Sequence, residues 1–164
     1  MNLSDIFTLS GKSGLFTIAG QTKNNVIVES LVDGKKFPTF ASNKLSALKD
    51  ISIFTTEGET PLSEIYRTIY NKEDGKECIS HSESEDNMRL YLEDILPNYD
   101  KDQVYKSDIK KLFMWYNILH KADRLKLSEK KNAEKQNVEK KNVEKKNNTI
   151  EKEEKTKTTI DNKK

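Results

Sequence analysis

Cysteine and long apolar runs are scarce in this 164-residue chain, and each shortage excludes a class of protein. Cys78 is the single cysteine, so one chain can form neither an internal disulfide nor a two-cysteine metal or redox site. No stretch approaches the roughly 18 apolar residues that a membrane span needs. The segment MNLSDIFTLSGKSG also carries an acid where a secretory signal has basic residues. These absences predict a cytoplasmic protein that does not bind a membrane.

Apolar residues are scarcest in residues 129–164, where five of them accompany twelve Lys and eight acidic residues. Such a segment cannot bury enough apolar surface to fold. Its pentad repeats, EKKNA, EKQNV, EKKNV and EKKNN, drift around a helix and form no apolar stripe. We therefore predict a disordered Lys/Glu/Asn-rich tail over residues 125–164. Residues 1–128, which precede the repeat segment, have 17 basic and 19 acidic side chains, a net charge near −2.

Short β-branched and aromatic runs with period 2 dominate the first third of the body. The runs LFTIA, VIVESL, KFPTF and DISIF are typical of strands, and Asp33-Gly34 is a favoured hairpin turn. Ser42 can cap one helical turn through Leu45 and Leu48 before DISIF, an arrangement common in SH3-like barrels. The segment MNLSDIFTL fits either a lead-in helix or a first strand. We predict a small SH3-like β-barrel over residues 1–57.

From residue 60 the apolar spacing changes to that of helices. Pro61 suits a first helical position, and Leu62, Ile65, Tyr66, Ile69 and Tyr70 follow at helical spacing. A second helix begins at the Ser82-x-x-Glu85 capping box or two residues later, and stops at Pro97. A third begins near Ser107, and its broad apolar surface predicts burial on two sides. We predict a three-helix domain over residues 58–124.

The Gly-Lys-Ser of SGKSGLF, residues 10–16, resembles the end of a phosphate-binding loop. That loop needs a further glycine at a position which Ile6 occupies, and a helix after the serine. Here a strand is predicted to follow. We therefore interpret the stretch as a tight turn that enters the first long strand, because Gly11 and Gly14 suit bends.

No other motif supplies chemistry. Cys78-x-x-His81 has zinc-like spacing but lacks further ligands, and Asp100-x-Asp102 begins like a calcium loop but has Val104 at the third ligand position. Glu57 and Glu59 are interpreted as part of a solvated linker. The chain is therefore expected to need no metal, to have no cofactor and not to be an enzyme.

Basic and aromatic residues near the predicted hairpin tips are the best binding signal in the body. Lysines with neighbouring phenylalanines on a small barrel can combine phosphate attraction with base stacking, although phenylalanines at strand spacing are more often core. An acidic body also lacks the strong basic patch of a dedicated nucleic-acid binder. The candidate contacts for a partner or nucleic acid are Lys12, Lys23, Lys35, Lys36, Phe37 and Phe40.

Four stretches, SGKSGLF, VIVESLVDGKKFPTFAS, ALKDISIFTTEGETPLSEIY and VYKSDIKKLFMWYNIL, resemble an uncharacterised family of small cytoplasmic proteins from Bacteroidota, a domain of unknown function. The resemblance covers residues 1–122. It implies a small β-barrel-like N-terminal domain followed by a helical domain, and it brings no catalytic residue with it.

The fold predicted from the sequence is α+β: an SH3-like barrel, a three-helix domain and a disordered charged tail. The function predicted is that of a non-enzymatic cytoplasmic binding protein or adaptor. A protein partner is favoured. The alternative is an RNA- or DNA-associated factor that binds through the barrel loops and the basic tail.

Overall fold

A computed structural model describes residues 3–23, 25–40 and 43–125, and within these ranges seven strands precede three helices. The strands are β1 (Phe7–Leu9), β2 (Lys12–Gln21), β3 (Asn25–Ser30), β4 (Lys36–Phe40), β5 (Leu45–Ala47), β6 (Ser52–Thr55) and β7 (Gly58–Pro61). The helices are α1 (Leu62–Lys72), α2 (Glu85–Ile95) and α3 (Lys106–Lys121), and a 3₁₀ turn, Leu48–Asp50, precedes β6. The α+β class is confirmed, and MNLSDIFTL contains a strand.

The first five strands form an antiparallel sheet in the order β4-β3-β2-β1-β5. The ten-residue strand β2 is central and pairs with both β1 and β3. Its register against β3 shifts between Ile18 and Gly20, and such a shift bends a long strand. The ladder ends at β4 and β5, so the hydrogen bonding of the described strands does not close a barrel.

Apolar side chains of this sheet pack on two sides. On one side, Leu15 and Leu31 contact the helices in the larger of two apolar clusters, which we call the main core. On the other side is a smaller group, the inner cluster, made of Leu9, Phe16, Val26, Val28, Phe37 and Leu45. All five strands contribute to it, including both edge strands. The sheet therefore curls around the inner cluster.

The segment between β4 and β6 differs from the prediction. A helical turn was expected through Leu45 and Leu48, with Ser42 as its cap, but Ser42 lies outside the described residues and Leu45–Ala47 pairs with β1 as a strand. The turn comes later, at Leu48–Asp50. This order has a packing reason: Leu45 contacts the inner cluster, whereas Leu48 is fully buried in the main core.

The DISIF strand does not join the five-stranded sheet. It forms β6, which pairs with β7 so that Ile53 lies opposite Thr60. The prediction of a solvated linker at Glu57 and Glu59 was therefore wrong for Glu59, which lies in β7. The turn of this hairpin is held by the α2–α3 loop, because the amide of Thr56 donates to the Asn98 carbonyl at 2.9 Å.

The three helices follow their predicted faces. Leu62, Ile65, Tyr66 and Ile69 of α1 are buried. Helix α2 begins at the later of its two predicted starts, where the Ser84 hydroxyl accepts from the amide of Asn87 at 3.3 Å. The central helix α3 buries the residues that fill the main core, namely Ile109, Leu112, Phe113, Tyr116 and Leu119.

The main core contains residues of both predicted domains, from Leu3 in the N-terminal half to Leu125 after α3. Leu125 is 5% exposed, so the first residue of the predicted tail packs against the body. Residues 126–164 of the predicted tail lie outside the described residues. In the part of the chain that the structure describes, no helix has the length and hydropathy to span a membrane.

Candidate functional site

A recess of about 440 Å³ lies between the β1–β2 turn, the start of β5 and one face of α3. The SGKSG stretch, residues 10–14, forms one wall. Lys44 and Ser46 lie on a second wall, and Lys111, Met114 and Trp115 of α3 on a third. We call this cavity the lysine recess.

The turn that forms the first wall follows from its glycines. Gly11 has a φ of 78°, a left-handed conformation that glycine adopts without strain, and Leu9 pairs with Lys12 across the turn. The amide of Ser10 donates to the Lys44 carbonyl at 3.1 Å, which fixes the turn against the strand next to it. A strand follows the turn, so the predicted tight turn is confirmed and the geometry is not that of a phosphate-binding loop.

The charged residues that line the lysine recess are all lysines. Lys12, Lys44 and Lys111 are exposed, and no acidic residue is among the residues that line the recess. Beside the recess, the Lys111 ammonium lies 3.4 Å from the Asp108 carboxylate. The Lys12 ammonium lies 4.3 Å from the centre of the Phe37 ring, a cation–π contact that holds this side chain against the curled sheet.

An apolar pocket of about 160 Å³ adjoins the recess between β6 and α3. Its apolar lining includes Ile51, Ile53, Phe54, Leu62, Val104 and Leu112. Lys111 and Trp115 line both cavities, so these two side chains form a wall that the recess and the apolar pocket share. Phe54 remains 44% exposed at the pocket.

The six candidate contacts predicted from the sequence are placed in different environments. Lys12 lines the lysine recess and touches Phe37, whose ring packs edge-on against Phe16 at 5.7 Å in the inner cluster. Lys23 is exposed before β3. Phe40 is 63% exposed and lies on the opposite face of β4 from Phe37.

The two lysines at the predicted hairpin tip have acidic neighbours. The Lys35 ammonium lies 3.0 Å from the Asp33 carboxylate, and that of Lys36 lies 3.5 Å from Glu29 on the adjacent strand. Hydrogen bonds from Ser30 and Lys35 lower the pKa of Asp33 to about 2, so its carboxylate stays charged beside Lys35. These pairs reduce the positive potential at the tip.

Sequence reasoning missed Lys44, Lys111 and Trp115 as site residues. Lys111 and Trp115 are four residues apart on a predicted helix, which places them on one face, and this was the available signal. Lys44 had no local signal, because only the pairing of β5 with β1 brings it to the SGKSG turn.

Cys78 and His81 line a third cavity of about 280 Å³, near the C-terminal half of α3. The Asn117 carboxamide accepts from the Cys78 amide at 2.9 Å and donates to the carbonyls of Cys78 and Ile79 at 3.4 and 3.2 Å. Burial raises the pKa of the Cys78 thiol to about 12. Across the described ranges, no group of three His, Cys, Asp or Glu side chains is placed to hold a metal ion.

We expect the Cys78 thiol of the folded protein to resist iodoacetamide at pH 8, because only the thiolate is nucleophilic. The unfolded thiol should release its proton near its ordinary pKa of 9.0, whereas the folded thiol holds it to about 12. Its contribution to stability is therefore complete below pH 9.0 and falls as the pH rises from 9.0 towards 12. Mass spectrometry of alkylation with and without urea measures the protection, and rapid labelling without urea would contradict it.

Comparisons with known proteins match the chain in two parts. The family profile described as domain of unknown function DUF5606 matches residues 3–48, and that of domain of unknown function DUF6852 matches residues 51–119. No curated protein matches the chain. A solution NMR structure of a structural-genomics target from Bacteroides vulgatus is similar at 39% identity with a TM-score of 0.62, over 74% of this chain and 88% of that one. This identity and coverage, with the two profiles in succession, establish that the chain belongs to an uncharacterised Bacteroidota family that joins these two domains of unknown function.

Proposed function

We propose that this chain is a non-enzymatic cytoplasmic binding protein that takes an acidic segment of a partner protein in the lysine recess. The observation that carries the proposal is the charge contrast: three lysines and no acidic residue line this cavity, on a body whose net charge is near −2. Opposite charges across an interface speed encounter and select the partner.

The architecture that we propose around the recess is an SH3-like barrel. The fifth strand pairs with the first, and all five strands contribute to the inner cluster, which supports a barrel-like curl. In this arrangement the β1–β2 turn and the start of β5 lie side by side and form two walls of the recess. The helical half contributes the third wall through α3.

Two observations favour binding over catalysis. The described groups with strongly raised pKa values are Cys78 and the tyrosines Tyr66, Tyr91 and Tyr116, and burial is the first cause in each case. These groups belong to the core or pack against it, away from the recess. The recess itself offers ammonium groups, hydroxyls and one indole, which suit recognition of a carboxylate better than proton transfer.

A protein partner is favoured over nucleic acid by the extent of the positive surface. A nucleic-acid binder normally carries a basic stripe along one face. Here Lys35 and Lys36 at the hairpin tip lie beside Asp33 and Glu29. Lys111 of the recess likewise lies beside Asp108. The positive surface is therefore limited to the lysine recess, and a short acidic segment matches it better than a phosphate backbone.

Reversing the three recess lysines tests this function. Each exposed ion pair contributes about 0.2–1 kcal/mol, and reversal adds repulsion, so we expect Lys12→Glu, Lys44→Glu and Lys111→Glu together to reduce partner capture about tenfold or more. The matched control carries Lys49→Glu, Lys76→Glu and Lys110→Glu, which change the net charge equally at exposed positions outside the recess.

The measurement is quantitative mass spectrometry of proteins captured by each full-length variant from native lysate, with and without nuclease. Partners should be retained by the control, lost by the recess variant and unaffected by nuclease. Equal capture by the recess variant would show that the recess is not the contact surface. Loss of capture on nuclease treatment would favour the nucleic-acid alternative.

A further inference from the structure

We propose that the partner segment also carries one apolar side chain, within four residues of its acidic group, and that this side chain enters the apolar pocket beside the lysine recess. The inference rests on the proposed function, since it extends the same site. It specifies the kind of segment that binds: an acidic stretch with a single aromatic or branched aliphatic anchor.

The size and lining of the pocket suit one such anchor. Its volume of about 160 Å³ is close to that of apolar protein cavities, about 150 Å³, that hold a benzene ring. Ile53, Leu62 and Leu112 form a buried apolar wall, and Phe54 and Trp115 are only partly covered. An apolar side chain placed here would remove surface of both aromatic rings from water.

The relative position of the two cavities fixes the spacing of the segment. Lys111 and Trp115 line both cavities, so the recess and the pocket adjoin across these two side chains of α3. An extended segment advances about 3.3 Å per residue, so two residues on the same side of it are about 6.6 Å apart and can enter two adjoining cavities. A helical segment reaches the same distance with a spacing of three or four residues.

The two cavities have different roles in this arrangement. An apolar anchor in a desolvated pocket supplies most of the affinity in protein interfaces, whereas charged rim contacts raise the association rate and exclude wrong partners. The Lys111 ammonium lies at the join, and its neighbour Asp108 lines the apolar pocket. Because the Asp108 carboxylate lies 3.4 Å from the Lys111 ammonium, a partner carboxylate binds Lys111 from the side of the recess and leaves the apolar pocket to the anchor.

A random peptide library displayed on phage and selected on the full-length protein tests the motif directly. The expected enriched peptides carry an aromatic or branched aliphatic residue within four positions of one or more acidic residues. Selection on the Lys12→Glu, Lys44→Glu, Lys111→Glu variant should not enrich them. Trp115 is the single tryptophan, so its fluorescence in a titration with a selected tryptophan-free peptide should report binding at the join of the two cavities.

Phe54→Ala tests the contribution of the apolar anchor separately from that of the acidic residues of the peptide. We expect it to weaken binding of a selected peptide about tenfold, the size typical of a truncated interface anchor. Leu90→Ala is the matched control, since Leu90 is also exposed, at 64% against 44%, and lines neither cavity. The same peptide with its anchor replaced by alanine should bind both variants with the weaker affinity.

The composition of the enriched peptides separates the two proposals. Acidic peptides without an apolar preference, with binding unchanged in Phe54→Ala, would overturn the anchor and leave the proposed function standing. Enrichment of peptides without acidic residues would overturn both proposals. Equal enrichment of the same peptides on the recess variant would also overturn both. Binding of an RNA oligonucleotide that displaces the selected peptide would favour the nucleic-acid alternative for the same recess.

Discussion

Leu15→Ala is expected to lower the free energy of unfolding by about 3–4 kcal/mol, a cost typical of a leucine truncated in a tightly packed core. Leu15 is 0% exposed and belongs to the main core, although it lies on the central strand of the sheet. The loss should therefore reach both halves of the body. In urea, circular dichroism of the helices and Trp115 fluorescence should report one shared transition at a lower midpoint.

Ile18→Ala is the matched control for Leu15→Ala. Ile18 lies on the same strand but is 48% exposed, so the substitution removes little buried surface and should cost below about 1 kcal/mol. Similar losses in the two variants would contradict the proposed packing of Leu15. Midpoints that Leu15→Ala leaves unchanged would indicate that the helices unfold independently of the sheet.

Asn117→Ala is expected to cost about 2–4 kcal/mol, because it leaves a backbone amide and two carbonyls near Cys78 without their side-chain partner. The segment at Cys78 and Ile79 should then open locally. The rate of alkylation of Cys78 measures this opening, and it should rise even where the rest of the protein stays folded.

Asn87→Ala is the control for Asn117→Ala. The Asn87 carboxamide donates to the exposed Glu83 carboxylate at 3.5 Å, and such a contact contributes little. Its loss should leave the Cys78 alkylation rate unchanged. If Asn117→Ala also left that rate unchanged, the carboxamide would not be what holds the segment over the thiol.

Helices α1 and α3 could be predicted because each has a local cause. The spacing of Leu62, Ile65 and Ile69 marks one buried face whatever the partner is. The Asp33-Gly34 signal also located the hairpin between β3 and β4, but the predicted two-residue turn flanked by Val32 and Lys35 was wrong. Gly34 alone adopts a positive φ, 68°, and the loop spans residues 31–35. These elements needed no knowledge of the rest of the fold.

Strands β5 and β7 could not be predicted in the same way, because each is short and depends on its partner. The three residues of β5 are strand only through pairing with β1, which is about 40 positions away in sequence. Glu59 in β7 has the composition of a solvated linker, yet it pairs with Phe54. Non-local pairing leaves no periodic signal in a stretch of three or four residues.

The candidate site was predictable only in part, for the same reason. Lys12 was identified as a loop lysine with Phe37 and Phe40 nearby. Lys44 and Lys111 join it because the pairing of β5 and the packing of α3 bring three distant segments together. Phe37 was named as a candidate contact although phenylalanines at strand spacing are more often core, and its packing partner Phe16 is known only from the structure.

The position of Leu48 has a consequence for how such genes evolve. This residue ends the stretch matched by one family profile, while its side chain is fully buried among residues of the other. Recombination at this junction would leave each product with an uncovered half of a shared core. The two domains should therefore be inherited together in one reading frame, with compensating substitutions on the two sides of the junction.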